Sequence, residues 1–222
     1  LVVKIRMEGL KMGVKEDIKK VISNIEKMIV GKEKVVELVA VALISGGHIL
    51  LEDVPGVGKT TLAKALSASI DCGFTRIQFT PDTLPSDVTG MSIYNMSTGT
   101  FEFVKEQIMN NIVLADEINR TSPKTQASLL EAMEEGQVSV DGNTYKLPQP
   151  FMVIATKNPV EHIGTYNLPE AQLDRFMLRI SVGYPEMEDE INMARHFLDN
   201  MAVDKLQAIV DGDTIMKARE EV

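Results

Sequence analysis

The stretch Leu50-Leu51-Glu52-Asp53-Val54-Pro55-Gly56-Val57-Gly58-Lys59-Thr60-Thr61 constrains this chain more than any other. An apolar run, Ile49 to Leu51, breaks into Pro and Gly, and a helix-forming run starts at Thr60. This is how a buried strand hands over to a phosphate-binding loop and then to a helix N-terminus. Gly56 and Gly58 carry no Cβ, so the loop can turn its backbone N–H groups inward. The helix start adds unpaired N–H groups and the positive end of its dipole, so a polyphosphate fits there. In such a loop Lys59 reaches the β- and γ-phosphates and the Thr60 hydroxyl ligates Mg2+. The full Walker A pattern has Gly five residues before Gly58, and Asp53 stands at that position. The competing reading is a Gly-rich turn followed by a chance Lys-Thr, so the rest of the chain has to decide.

At 222 residues the length fits one large α/β domain, or one domain and part of a second. The net charge of −9, from 32 acidic and 23 basic residues, argues against a surface built mainly for nucleic acid. Cys72 is the single cysteine, which excludes a disulfide framework or a Cys-based metal site and fits the reducing cytoplasm. No apolar run approaches the roughly 20 residues of a membrane helix. Leu1-Val2-Val3-Lys4-Ile5-Arg6 does not read as a signal peptide. Opening on Leu rather than Met, the chain reads as a fragment or an unusual start, and whether the residues before about 15 are native is left open.

Ile18, Val21, Ile22, Ile25 and Ile29 recur at helical spacing over 15–29, which Gly31 ends, and a second, largely apolar helix follows over about 33–45. Strand 48–52, the loop and helix 60–70 come next, then a strand over Phe74–Phe79. Two short β-prone runs, 91–94 and 100–104, predict a hairpin, and 137–140 with 144–147 flank Asp141-Gly142-Asn143 as a second. Asn111–Glu117 is an apolar strand ending on two carboxylates, followed by a helix over 123–135 with Ser122 as N-cap and Pro123 in its first turn. Phe151–Ala155 is a fourth strand, Pro169–Leu173 a short helix, Met177–Val182 a fifth apolar stretch. Helix 186–200 and a helix from 213 begin a new unit. Apolar strands alternating with helices predict a parallel sheet covered on both faces.

The adjacent acids carry the chemistry. A strand that delivers two carboxylates at its C-terminal end meets what ATP hydrolysis requires: one for the Mg2+ shell, one to polarise the attacking water. Asp116 is assigned to the metal, through water, and Glu117 to general base; the alternative is two solvated acids before a loop. Asn158, just past the fourth strand, is placed to hydrogen-bond the attacking water or the γ-phosphate, against an Asx turn before Pro159. Arg175 can neutralise charge on the transferring phosphoryl group, in cis or from a neighbouring subunit. Its alternative is a surface ion pair with Asp174 or Glu170. Arg120 is a lesser candidate for an arginine at a subunit interface. His48, His162 and His196 share no metal-ligand spacing, and His48 reads as packing or capping.

The ordered set then becomes recognisable. Ile29-Val30-Gly31, Pro55-Gly56-Val57-Gly58-Lys59-Thr60, Leu114-Ala115-Asp116-Glu117-Ile118-Asn119-Arg120, Ala155-Thr156-Lys157-Asn158-Pro159 and Leu168–Phe176, with Thr125–Glu135 between, resemble the MoxR family of AAA+ ATPases from about residue 15 to 200. The resemblance implies an AAA+ αβα sandwich with five parallel strands in the order 5-1-4-3-2 and two inserted β-hairpins, one within helix 2 and one before sensor 1. Both hairpins would face a central pore or a partner. Val30 and Gly31 would line the adenine pocket, and Pro55, Gly56, Val57, Gly58, Lys59, Thr60 and Thr61 would hold the phosphates of ATP, with Mg2+ on Thr60 and Asp116. Asn158 would be sensor 1 and Arg175 the trans-acting arginine finger of a homo-oligomeric, usually hexameric, ring. Family members act as ATP-driven, chaperone-like factors that mature or insert metal into protein clients, often with a von Willebrand factor A domain partner.

Several positions depart from the family pattern. Lys157 stands for the usual Gln, Asn167 for Pro, and Glu106-Gln107-Ile108-Met109 for a Gly-Pro-Ile/Val-Phe run. The expected division is an AAA+ core over 1–185 and the start of a truncated helical lid over 186–222, with Arg195 and Arg219 in no context that matches sensor 2. Two alternatives accompany the ATPase reading: a nucleotide-dependent assembly module without significant turnover, and a Mg-chelatase-like motor subunit. A nucleic-acid motor is disfavoured by the acidic balance.

Overall fold

The computed structural model describes residues 11–54, 56–160, 164–184, 189 and 203–221. Pro55, His162, Arg195, His196 and most of the helix expected over 186–200 lie outside the described residues.

The apolar runs become strands where they were expected: β1 Ile49–Glu52, β2 Phe74–Gln78, β5 Ile112–Asp116, β8 Met152–Lys157 and β9 Leu178–Ile180. These five form one sheet in the order β2-β5-β8-β1-β9, every neighbouring pair parallel. Counted in chain order, that is 5-1-4-3-2, as the resemblance implies. Two separate antiparallel hairpins are inserted, β3 Met91–Asn95 with β4 Thr100–Val104, and β6 Gln137–Val140 with β7 Asn143–Lys146. The helices are α1 Met12–Glu26, α2 Glu33–Ile44, α3 Lys59–Ser69, α4 Pro85–Thr89, α5 Pro123–Glu135, α6 Glu170–Leu173 and α7 Gly212–Glu220.

Side chains alternate across the pleat, and this sorts the core into two halves. Ile49, Leu51, Ile112, Leu114, Met152 and Ile154 point to one face, where they meet Val21 and Ile25 of α1, Val36 and Leu43 of α2, Leu66 of α3 and Ile215 of α7. Leu50, Val113, Ala115, Val153 and Ala155 point to the other, against Leu129, Leu130 and Met133 of α5. Both faces are covered, so the central strands read as unbroken apolar runs rather than alternating ones. Because the strands are parallel, β1, β5 and β8 all end at one edge of the sheet.

Three local differences from expectation have physical reasons. α1 ends at Glu26 rather than 29, because residues 27–31 turn and Gly31 adopts a left-handed φ of 72°. β8 runs two residues past Ala155, since Thr156 and Lys157 continue the ladder against Leu51 and Glu52. The first hairpin does not sit inside a long helix: α4 is only five residues, opened by the Asp87 carboxylate accepting the Leu84 N–H at 2.8 Å and ended at Gly90. Ile108, in the departing run Glu106–Met109, is fully buried against the α5 face. The two hairpins touch through Phe103 and Tyr145, stacked at 3.9 Å between ring centroids.

His48 joins three elements. Its Nδ1 accepts the Val153 N–H at 2.9 Å and its Nε2 donates to the Met133 carbonyl at 3.1 Å. An accepting Nδ1 carries no proton, so the buried ring is neutral. Burial is the main reason its pKa falls from 6.5 to about 4; Arg219 adds to the fall and the Met133 bond opposes it. Between these values the unfolded chain binds a proton that the folded one refuses, so stability is complete above the unfolded value and declines as pH drops toward 4. The shift corresponds to about 3 kcal/mol. Urea midpoints should therefore fall steeply from pH 7 to pH 4.5, and His48→Gln should flatten that dependence; an equally steep fall in the variant would refute the assignment.

Candidate active site

Local backbone geometry comes first. Gly56 and Gly58 take φ values of 88° and 86°, the left-handed region that other residues avoid, and a Cβ at either would meet no protein atom within 4 Å. A side chain there would project into open space, and both glycines border a concavity. That concavity is a cavity of about 380 Å3. Gly56, Gly58, Lys59, Thr60 and Thr61 line it from the loop and the start of α3; Arg76 and Gln78 from β2; Asp116 and Glu117 from the end of β5; and Asn158 from just beyond β8. Beside it, a smaller apolar recess of about 80 Å3 lies between Met28, Ile29, Val30 and Lys32 on one side and Gly56, Val57, Gly58 and Thr61 on the other. Val30 thus lines the recess expected for a base, and Gly31 makes the turn beside it.

Lys59 opens α3, and its Nζ donates to the Asp53 carbonyl at 3.0 Å. Asp116 is buried and both of its oxygens are engaged. The Thr156 hydroxyl donates to Oδ1 at 2.6 Å, and Arg76 donates to Oδ2 through Nε at 3.0 Å and a terminal nitrogen at 2.5 Å. Glu117 sits at a left-handed φ of 59°, a conformation held by its N–H donating to the same Thr156 hydroxyl at 2.8 Å. Its Oε2 accepts from Gln78 at 3.0 Å and pairs with Arg120 at 3.1 Å. Gln78 in turn accepts from Arg76 at 2.6 Å. The two carboxylates are therefore joined through one polar chain, Thr156-Asp116-Arg76-Gln78-Glu117-Arg120.

Asn158 makes the Asx turn and also lines the cavity. Its Oδ1 accepts the Val160 N–H at 3.1 Å, an Asx turn, while the buried side chain still lines the cavity. With the oxygen committed, the amide NH2 is the group available to a phosphate or a water. Arg175 is absent from the cavity lining. It pairs with Glu134 of α5 at 2.7 Å, not with Asp174 or Glu170, and donates to the Ala171 carbonyl. Arg219 is committed elsewhere too, donating to the Leu43 carbonyl at the end of α2 at 3.0 Å and to the Phe151 carbonyl.

Sequence reasoning missed Arg76, Gln78 and Thr156. A signal existed for the first two: Arg76 and Gln78 are the same-face polar positions of β2, and they pair in register with Leu114 and Asp116 of β5. Among the described residues, no three His, Cys, Asp or Glu side chains cluster as a metal cage. Thr60 and Asp116 both line the cavity wall, and in this structure the Asp116 oxygens are taken by Thr156 and Arg76.

The family model for the ATPase family associated with various cellular activities (AAA) matches residues 48–178. YeaC, an uncharacterised protein of Bacillus subtilis (strain 168), is 53% identical over 203 residues, covering 91% of this chain and 63% of that protein. Chaperone MoxR1 of Mycobacterium tuberculosis is 44% identical over 201 residues, covering 90% of this chain and 52% of that one. A solved structure of a candidate ATPase from Cytophaga hutchinsonii superposes with a TM-score of 0.84 at 44% identity, covering 94% of this chain and 63% of that one. The chain thus spans between half and two thirds of the length of these relatives.

Proposed function

Because the chain belongs to the MoxR family of AAA+ ATPases, we propose that it binds ATP with Mg2+ and hydrolyses it to ADP and phosphate, driving the remodelling, maturation or metal loading of a protein client. One observation carries this reading: Lys59, Thr60, Asp116, Glu117 and Asn158, from three separate segments, line a single cavity. Gly56 and Gly58 cradle the phosphates, Lys59 leaves the Asp53 carbonyl to neutralise the β- and γ-oxygens, and Val30 packs on the base. Glu117 accepts a proton from the attacking water, and the Asn158 amide orients that water or the γ-phosphate. Thr60 and Asp116 would hold the divalent cation, which when bound neutralises charge on the phosphate oxygens.

The pairing of Arg175 outside the cavity supports its action on a neighbouring subunit's nucleotide in a ring, which we take as hexameric. Ile93, Tyr94, Met96 and Phe101 are exposed on the first hairpin, which supports its use against a partner or client. A protein with a von Willebrand factor A domain is the proposed partner, and similarity to the mycobacterial chaperone MoxR1 supports a chaperone role. In the division we propose, 1–185 is the nucleotide-binding core and 186–222 begins the lid, with α7 docked on α2. No described helix is long and apolar enough to cross a membrane; the proposed location is the cytoplasm. The alternative, an assembly module without turnover, draws on the engaged state of Asp116 and Glu117.

ATP turnover per subunit, measured against protein concentration with Mg2+ present, tests the proposal. Turnover that rises with concentration is expected, since each site is completed between subunits. Flat turnover would place the needed arginine in cis and remove the ring. Nucleotide binding without turnover in the full-length protein would favour the assembly module.

A further inference from the structure

Asp53 occupies the position that a glycine holds in the full Walker A pattern, and its surroundings give it a task of its own. The carboxylate is buried and takes three donors from one segment just beyond β9. Oδ1 accepts the Ser181 hydroxyl at 3.0 Å and the Gly183 N–H at 3.1 Å, and Oδ2 accepts the Val182 N–H. Its backbone is engaged as well: the N–H donates to the Lys157 carbonyl at 3.1 Å and the carbonyl receives Lys59 Nζ. The same segment is held a second time, by Lys32 Nζ donating to the Tyr184 carbonyl at 2.8 Å. Lys32 belongs to the recess beside Val30. Residues 181–184 are therefore fastened at the phosphate end of the site by Asp53 and at the base end by Lys32.

Resting on the reading of this cavity as a nucleotide site, we propose that Asp53 is a positioning residue that locks the phosphate loop to the Ser181–Gly183 segment and thereby sets nucleotide affinity. A glycine at 53 would satisfy the Walker A pattern and leave two backbone N–H groups and one hydroxyl without their acceptor. The loop entry and the segment after β9 would then move independently, and the nucleotide would have to order both on binding. The substitution that completes the consensus is thus the one that weakens the site. Ser181→Ala removes a single donor and leaves the two backbone bonds, so its effect is smaller and exists only while the carboxylate is present.

Equilibrium binding of fluorescently labelled ADP to the full-length protein tests this, beside melting curves without nucleotide. Asp53→Gly should weaken binding about tenfold or more, and Ser181→Ala about threefold, given the strength of hydrogen bonds to a charged group. Ser181→Ala should add nothing in the Asp53→Gly background, and Asp53→Asn, which keeps one good acceptor, should fall between. If Asp53→Gly does not fold, the threefold loss in Ser181→Ala with an unchanged melting temperature decides for the proposal, and its absence decides against it. Variants that bind as tightly as the parent, or losses that add independently in the double variant, overturn the role of Asp53 while leaving the nucleotide site intact. A parent protein that binds no nucleotide overturns the site itself.

Discussion

Replacing Glu117 by Gln should lower ATP turnover by about 10²–10⁴-fold, the range of a positioned general base, while ATP binding is retained. The side chain keeps its length and one acceptor oxygen, so the bond from Gln78 and the contact with Arg120 are both geometrically possible after the change. What is lost is the ability to take a proton from water. The backbone of residue 117 is held separately, through its N–H to the Thr156 hydroxyl, so the left-handed turn survives the substitution. Single-turnover hydrolysis and labelled-nucleotide affinity separate the two effects. Unchanged turnover in the full-length variant would remove Glu117 from the chemistry.

Arg175→Ala should cost about 10³-fold or more in turnover, the contribution of an arginine that stabilises phosphoryl-transfer charge. Fold stability should barely change. The ion pair with Glu134 is partly exposed on both sides, and such pairs contribute at most about 1 kcal/mol. A mixing experiment distinguishes the subunits: Arg175→Ala protein supplies intact Glu117, and Glu117→Gln protein supplies intact Arg175. If the site forms between subunits, combining the two inactive proteins restores turnover. Two variants that remain inactive when mixed, in rings that do form, would place Arg175 in its own subunit's site or in no site.

These two residues differ in how legible they were. Glu117 was legible as a candidate because a carboxylate pair at the end of an apolar strand behind a Pro-Gly-x-Gly-Lys-Thr run has few other uses. Arg175 was readable as a candidate but not as a contact: its partner, Glu134, lies forty-one positions away on another element, and only the tertiary fold brings them together. Arg76 and Gln78 were hidden for a related reason. In one dimension they are the polar half of an alternating strand; the implied strand order puts β2 beside β5, but only the folded register sets Gln78 opposite Asp116 and brings Arg76 onto its carboxylate. Thr156 was hidden because a hydroxyl at the end of a buried strand has no distinguishing neighbours in sequence. Its hydroxyl nonetheless donates to Asp116 and accepts from Glu117.

The chain's sequence by itself determined the order of elements, the parallel sheet, the glycine turn before α3 and the two carboxylates that close β5. These rest on local physics: apolar runs form buried strands, glycines permit left-handed turns, and helix starts attract anions. Only the tertiary structure decided which polar groups meet. Strand order β2-β5-β8-β1-β9 sets Arg76 against Asp116 and brings Asn158 to the phosphate loop, while the end of β9 delivers three donors to Asp53. Those encounters join residues 40 to 130 positions apart. Such pairings arise from how strands are ordered and how loops close, and no local pattern encodes them.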